Sequence, residues 1–134
     1  MSVQIKELTN SAPTIDNSNP AVGDSFNIIP TANQVYDLYT ALNDASSKKT
    51  TLVKSIRLVN THTAAVKVNL YFMRLNTTGQ NRRRLISPVD MSLSPGLMYV
   101  DGDELTLEPG DRIQAKADVG GVIHYVISGV ERDA

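Results

Sequence analysis

Apolar and polar residues alternate along most of this chain from Val35 onward, and that rhythm sets the first expectation. In AVKVNLYFM, residues 65–73, Val66, Val68, Leu70 and Phe72 share one face, while Lys67, Asn69, Tyr71 and Met73 share the other. A period of two is that of an extended strand with one buried face. RIQAKA repeats it, setting Ile113, Ala115 and Ala117 against Arg112, Gln114 and Lys116. In GVIHYVISGVE, residues 121–131, both faces carry apolar side chains, which fits a strand covered on both sides. Further strands are expected at 51–59, 84–87, 97–100 and 104–107. VYDLYTAL at 35–42 spaces Val35, Leu38, Tyr39 and Leu42 as a helix would, yet its β-branched and aromatic content favours a strand.

The breaks between these runs are turn-forming. SLSPGLMY at 92–99 and TLEPGDRI at 106–113 share one frame with Pro-Gly at its centre. Proline presets φ for the first central turn position, and glycine accepts the positive φ that a type II turn requires at the second. A phosphate-cradling loop would instead need several converging amides, usually at a helix N-terminus. Both Pro-Gly pairs therefore read as turns. About eight short strands between polar turns predict an antiparallel β-sandwich or barrel.

Residues 1–34 have a different texture, rich in Asn, Ser, Thr and Pro, with apolar residues mostly scattered singly. Pro13, Pro20 and Pro30 each lack a backbone N–H and interrupt any long helix or inner strand. The chain thus divides into an extended N-terminal arm, 1–34, and a β-sandwich body, 35–134. Val22, Phe26, Ile28 and Ile29 are the arm's candidate anchors against a partner. The arm is expected to order through contacts outside its own body, by strand addition to a neighbour's sheet edge.

Composition narrows the chemistry. The chain has 134 residues, enough for one domain with its own core. The net charge of −1 offers no field that would gather nucleic acid or an anionic membrane. There is no cysteine, hence neither a disulfide nor a thiolate metal site. The N-terminal residues lack the apolar core of a secretion signal, so synthesis in a cytoplasm is expected. The two histidines, His62 and His124, stand far apart in no His-x-His or His-Glu-x-x-His pair. His62 reads as a turn residue and His124 as part of a sheet face. Asp101, Asp103 and Glu104 cluster in VDGDEL, but not with the spacing of a twelve-residue calcium loop. No G-x-S-x-G appears. We expect no enzyme activity, no cofactor and no metal. Arg82, Arg83 and Arg84 form the one basic run, and no aromatic residue adjoins it for base stacking. They are candidate contacts to an acidic neighbour, since the guanidinium fork suits a carboxylate.

Three segments carry a family resemblance. KSIRLVN at 54–60, the L-x-L-x-x-G-D-x-I-x-A-K-A pattern at 105–117 and SGVE at 128–131 are similar to small virion structural proteins of tailed bacteriophages. The likeness lies on the C-terminal side and leaves out residues 1–34. It implies a jelly-roll-like sandwich, localised in the virion after assembly in the host cytoplasm. It also implies a capsid decoration (cement) protein that binds the major capsid protein or another virion protein. Self-association as a homo-oligomer is expected, with no nucleic acid or membrane partner. A neck or tail component, or a tail-associated receptor- or carbohydrate-binding module, is the alternative. The missing tryptophan weighs against sugar binding.

Overall fold

A computed structural model describes residues 3–7, 14–15, 27–74 and 82–134, the first two segments as backbone only. The alternating runs form strands. β4 (Lys49–Asn60), β5 (Val66–Arg74), β10 (Arg112–Ala117) and β11 (Ile123–Asp133) are the long ones, and the ambiguous run near 35–42 is a strand, β3 (Tyr36–Thr40). Around them lie β1 (Val3–Glu7), β2 (Thr14–Ile15), β6 (Arg82–Leu85), β7 (Met91–Leu93), β8 (Met98–Asp101) and β9 (Leu105–Leu107). No helix occurs among the described residues.

The strands make two antiparallel sheets. Sheet A runs β1-β11-β4-β8, with β9 also paired to β4; sheet B runs β2-β3-β10-β5-β6, with β7 also paired to β5. Their facing sides hold the core, in which Val53, Ile56, Leu58, Ile123 and Ile127 of sheet A meet Val66, Leu70, Ile113 and Ala115 of sheet B. Each large aliphatic side chain buried there contributes about 1.5–3 kcal/mol. The fold is an all-β, jelly-roll-like sandwich.

Both Pro-Gly pairs turn the chain as expected. Gly96 and Gly110 have φ of 74° and 91°. Leu97 N–H donates to the Ser94 carbonyl at 3.0 Å and Asp111 N–H to that of Glu108 at 2.9 Å, closing each four-residue turn. The first turn carries β7 of sheet B into β8 of sheet A, and the second carries β9 of sheet A into β10 of sheet B. Asp111 adds a device of its own. Its buried carboxylate accepts the Glu108 N–H at 2.9 Å and a forked pair of bonds from Arg74, the shorter at 2.7 Å.

The N-terminal segment departs from the expected arm wherever it is described. β1 pairs with β11 in register Val3–Arg132 to Glu7–Ser128, and β2 pairs with β3. These strands extend the chain's own sheets. Ile29 is fully buried in the chain's own core, donating its N–H to Ile123 at 3.0 Å and accepting from Gly121 at 2.8 Å. Its expected role as a partner anchor is thus corrected: it anchors residues 27–34 to the body instead. The physical reason is that a core with an open edge gains more from its own apolar segment, held at no loss of translational freedom, than by waiting for a neighbour's.

Candidate functional site

Sheet A presents an outer face with few large polar groups. Across β8, β4 and β11, Val100, Arg57 and Val126 stand in one row, and Met98, Val59 and His124 in the next. A row further on, Ser55 and Ser128 hydroxyls meet at 3.0 Å. Beyond the bulge at Ser128/Gly129, a groove of about 410 Å³ is lined by Thr50, Leu52, Thr106, Val130 and Arg132. Its walls offer two hydroxyls, one guanidinium and two aliphatic side chains. They supply neither a nucleophile with a base nor an aromatic platform. Among the described residues no three His, Asp or Glu side chains gather as metal ligands.

Sheet B's outer face is polar, and its side chains bond to one another. Asp37 accepts from Arg112 at 2.8 Å and from Gln114 at 2.7 Å, and Gln114 in turn accepts from Arg83 at 2.8 Å. The Arg83 guanidinium lies 5.4 Å from the centre of the Tyr71 ring. This chain of bonds ties β3, β10, β5 and β6 together across the sheet.

The candidate contacts fall in different places. Val22 and Phe26 lie outside the described residues. Ile28 is half-buried and bridges to His124, on the sheet A side of the body. Ile29 is in the core. Arg82, Arg83 and Arg84 do sit together, on the exposed edge strand β6, two residues earlier than the strand expected at 84–87. Within that strand the roles divide: Arg83 is engaged with Gln114 and Tyr71, while Arg84 donates to the Arg83 carbonyl at 3.0 Å. His62 lies in the β4–β5 turn, where its N–H donates to the Asn60 side chain at 2.8 Å. His124 is exposed on the outer face of sheet A.

Asn60 and Asp111 carry structural roles that sequence reasoning missed. Their most distant partners lie 33 and 37 residues away, and no local pattern signals those bonds.

No family model matches the sequence, and a search of curated proteins finds no match. Solved structures do match. The chain superposes over 97% of its length on 30% of a chain from the T13 infectious bursal disease virus particle, at 8% identity and a TM-score of 0.53. The Gt strain of the same virus gives 96% and 31% coverage, 10% identity and a TM-score of 0.50. The CBM22-1 xylan-binding domain of Paenibacillus barcinonensis Xyn10C is similar over 98% of this chain and 81% of that domain, at 9% identity and a TM-score of 0.41. The chain therefore spans less than a third of the length of the viral chains. At these identities the likeness is one of fold: a β-sandwich of the kind found in viral particle proteins.

Proposed function

We propose that this chain is a structural protein of a virus particle, and within that class a capsid decoration protein on the head of a tailed bacteriophage. The observation that carries the reading is the fold, shared over nearly the whole chain with a viral particle chain. The bacteriophage-like segments support it, since they map onto the frame of the sandwich: 54–60 on β4, 105–117 on β9 and β10, and 128–131 on β11. The role is non-catalytic binding of the major capsid protein lattice, with many copies multiplying individually weak contacts. A sugar-binding role fits less well. Tyr36, Tyr39 and Tyr125 are buried, and Tyr71 is engaged by Arg83, which leaves little aromatic surface for a sugar ring.

Cryo-electron microscopy of the intact particle tests the proposal. Density repeated over the head shell and fitted by this sandwich is the expected result. A ring or spike at a single vertex would move the assignment to neck or tail. Particles without the chain would overturn it.

A further inference from the structure

One lateral side of the sandwich concentrates features that the rest of the described surface lacks. Along it the edge of sheet B is made by β6 and then β7, both paired to β5, with residues 86–90 between them. The edge of sheet A is made by β8 and then β9, both paired to β4, with residues 102–104 between them. The Ser94–Leu97 turn joins β7 to β8, which places both interrupted edges on the same side.

Apolar exposure collects there. Of the seven large hydrophobic side chains exposed among the described residues, five lie between 85 and 100, from 41% exposed at Leu85 to 73% at Val89. Val89 and Leu97 lie in the connections along this side, with Met98 and Val100 beside it on sheet A and Leu85 beside it on sheet B; apolar exposure rimmed by charge marks an interaction surface. The rim has two signs. The sheet B edge carries Arg82 and Arg84, both exposed on β6. The sheet A edge carries Asp101 and Asp103, where the Asp103 N–H donates to the Asp101 carboxylate at 3.0 Å. Glu104 is already paired with Lys54 at 2.6 Å and adds less.

We propose that this side is a self-association surface, occupied by a second copy of the same chain. A two-fold axis along the strand direction sets the sheet B edge of one copy against the sheet A edge of its mate. The arginines of β6 then face the 101–103 turn twice, once in each direction, as an isologous contact requires. The exposed Val89 and Leu97 close between the two charged contacts, with Leu85, Met98 and Val100 at the flanks on the outer faces of the two sheets. Neither edge is one long strand, since residues 86–90 and 102–104 interrupt them. Side chains therefore make the contact, and the interruptions oppose open-ended strand addition. A second copy fits better than nucleic acid: the acidic half of the rim would repel phosphate, and the chain's net charge is −1. The inference does not depend on the virion assignment.

Sedimentation velocity on the full chain, over a range of concentrations at low and high salt, tests it. A concentration-dependent dimer is expected, weakened by salt. Reversing one rim, as R82E/R84E, or the other, as D101K/D103K, should weaken the dimer about tenfold or more, since like charges then oppose each other twice. Mixing the two reversed variants should restore it, because each copy then offers the other a complementary rim. Circular dichroism confirms that each variant is folded, and D103K alone serves as a milder second variant at an exposed turn. A full chain that stays monomeric, reversals that leave the dimer unchanged, or a mixture that stays monomeric would each overturn the proposal. So would a single-stranded oligonucleotide that binds the full chain but not R82E/R84E.

Discussion

Asn60 is fully buried where two turns meet, and its amide holds both. The Nδ2 donates to the carbonyls of Ala64 at 3.1 Å and Leu93 at 2.8 Å, while the Oδ1 accepts the His62 N–H at 2.8 Å. Asn60→Ala removes all three bonds and leaves the buried Leu93 carbonyl without this donor, so a loss of about 2–4 kcal/mol is expected. Urea unfolding at unchanged m-value measures it. Gly129 is constrained in another way. A Cβ there would come within 2.1 Å of the Leu52 carbonyl oxygen, at the bulge between β11 and β4. Gly129→Ala must push apart two strands in the interior of sheet A and should cost about 3 kcal/mol, read as a lower urea midpoint. Tyr39 bridges the sheets. Its hydroxyl donates to Glu131 at 2.5 Å and lies 2.7 Å from that of Thr51. Burial, and then the bond to Glu131, raise its proton affinity well above that of an ordinary tyrosine. An unfolded tyrosine titrates near pH 10, about the value at which this contribution begins to fade. The stability due to the raised proton affinity is complete below that pH and is lost as pH climbs towards the folded value. Urea midpoints should therefore fall above about pH 10, and Tyr39→Phe should flatten most of that fall. An equal fall in the variant would assign it elsewhere, Tyr99 being the next candidate.

Elements differ in how openly the sequence announces them. β5 and β10 could be read because each has one face in the core and strand-like alternation follows from that. β6 lies two residues ahead of the strand expected at 84–87 because all four of its residues are exposed, so no buried face imposes a period. β7, of three residues, and β2, of two, are too short to show a period, and the brief alternation of β1 over residues 3–6 stands in a stretch rich in Asn, Ser, Thr and Pro; all three are held by pairing to strands far along the chain. The arginine cluster was legible as composition, but its position on a sheet edge depends on how β5 pairs. The same limit explains Ile29, which looked like an arm's anchor because nothing local reveals that β11 lies beside it. This yields a test at the level of segments. Deleting residues 1–34 removes Ile29 and its bonds to Ile123 and Gly121, whereas deleting 1–26 keeps them. The longer deletion should be the less stable by about 2–5 kcal/mol, the usual range for emptying a buried isoleucine site. Calorimetry that found equal midpoints for the two truncations would return Ile29 to a peripheral role.

At the scale of the molecule, stability and assembly draw on different forces. The core between the sheets is almost wholly apolar, and apolar burial is little affected by moderate changes in simple salt. The ion pairs lie at its margins. Lys54 and Glu104 are both half exposed, and Arg74 is half exposed over its buried partner Asp111. An exposed pair such as Lys54–Glu104 contributes about 0–1 kcal/mol and is screened as salt rises. The proposed contact between copies, in contrast, places charge against charge across a surface open to solvent until it forms. Raising salt should then dissociate the dimer while leaving the fold nearly untouched. The separation is measurable if unfolding is followed at protein concentrations low enough to keep the chain monomeric, since association adds apparent stability by mass action. Under those conditions the unfolding free energy should change by less than about 1 kcal/mol between low and high salt. A larger fall would mean that the Asp37–Arg112–Gln114–Arg83 network, which joins β3, β10 and β6 of sheet B, holds the sandwich together and is more than a polar covering for its outer face.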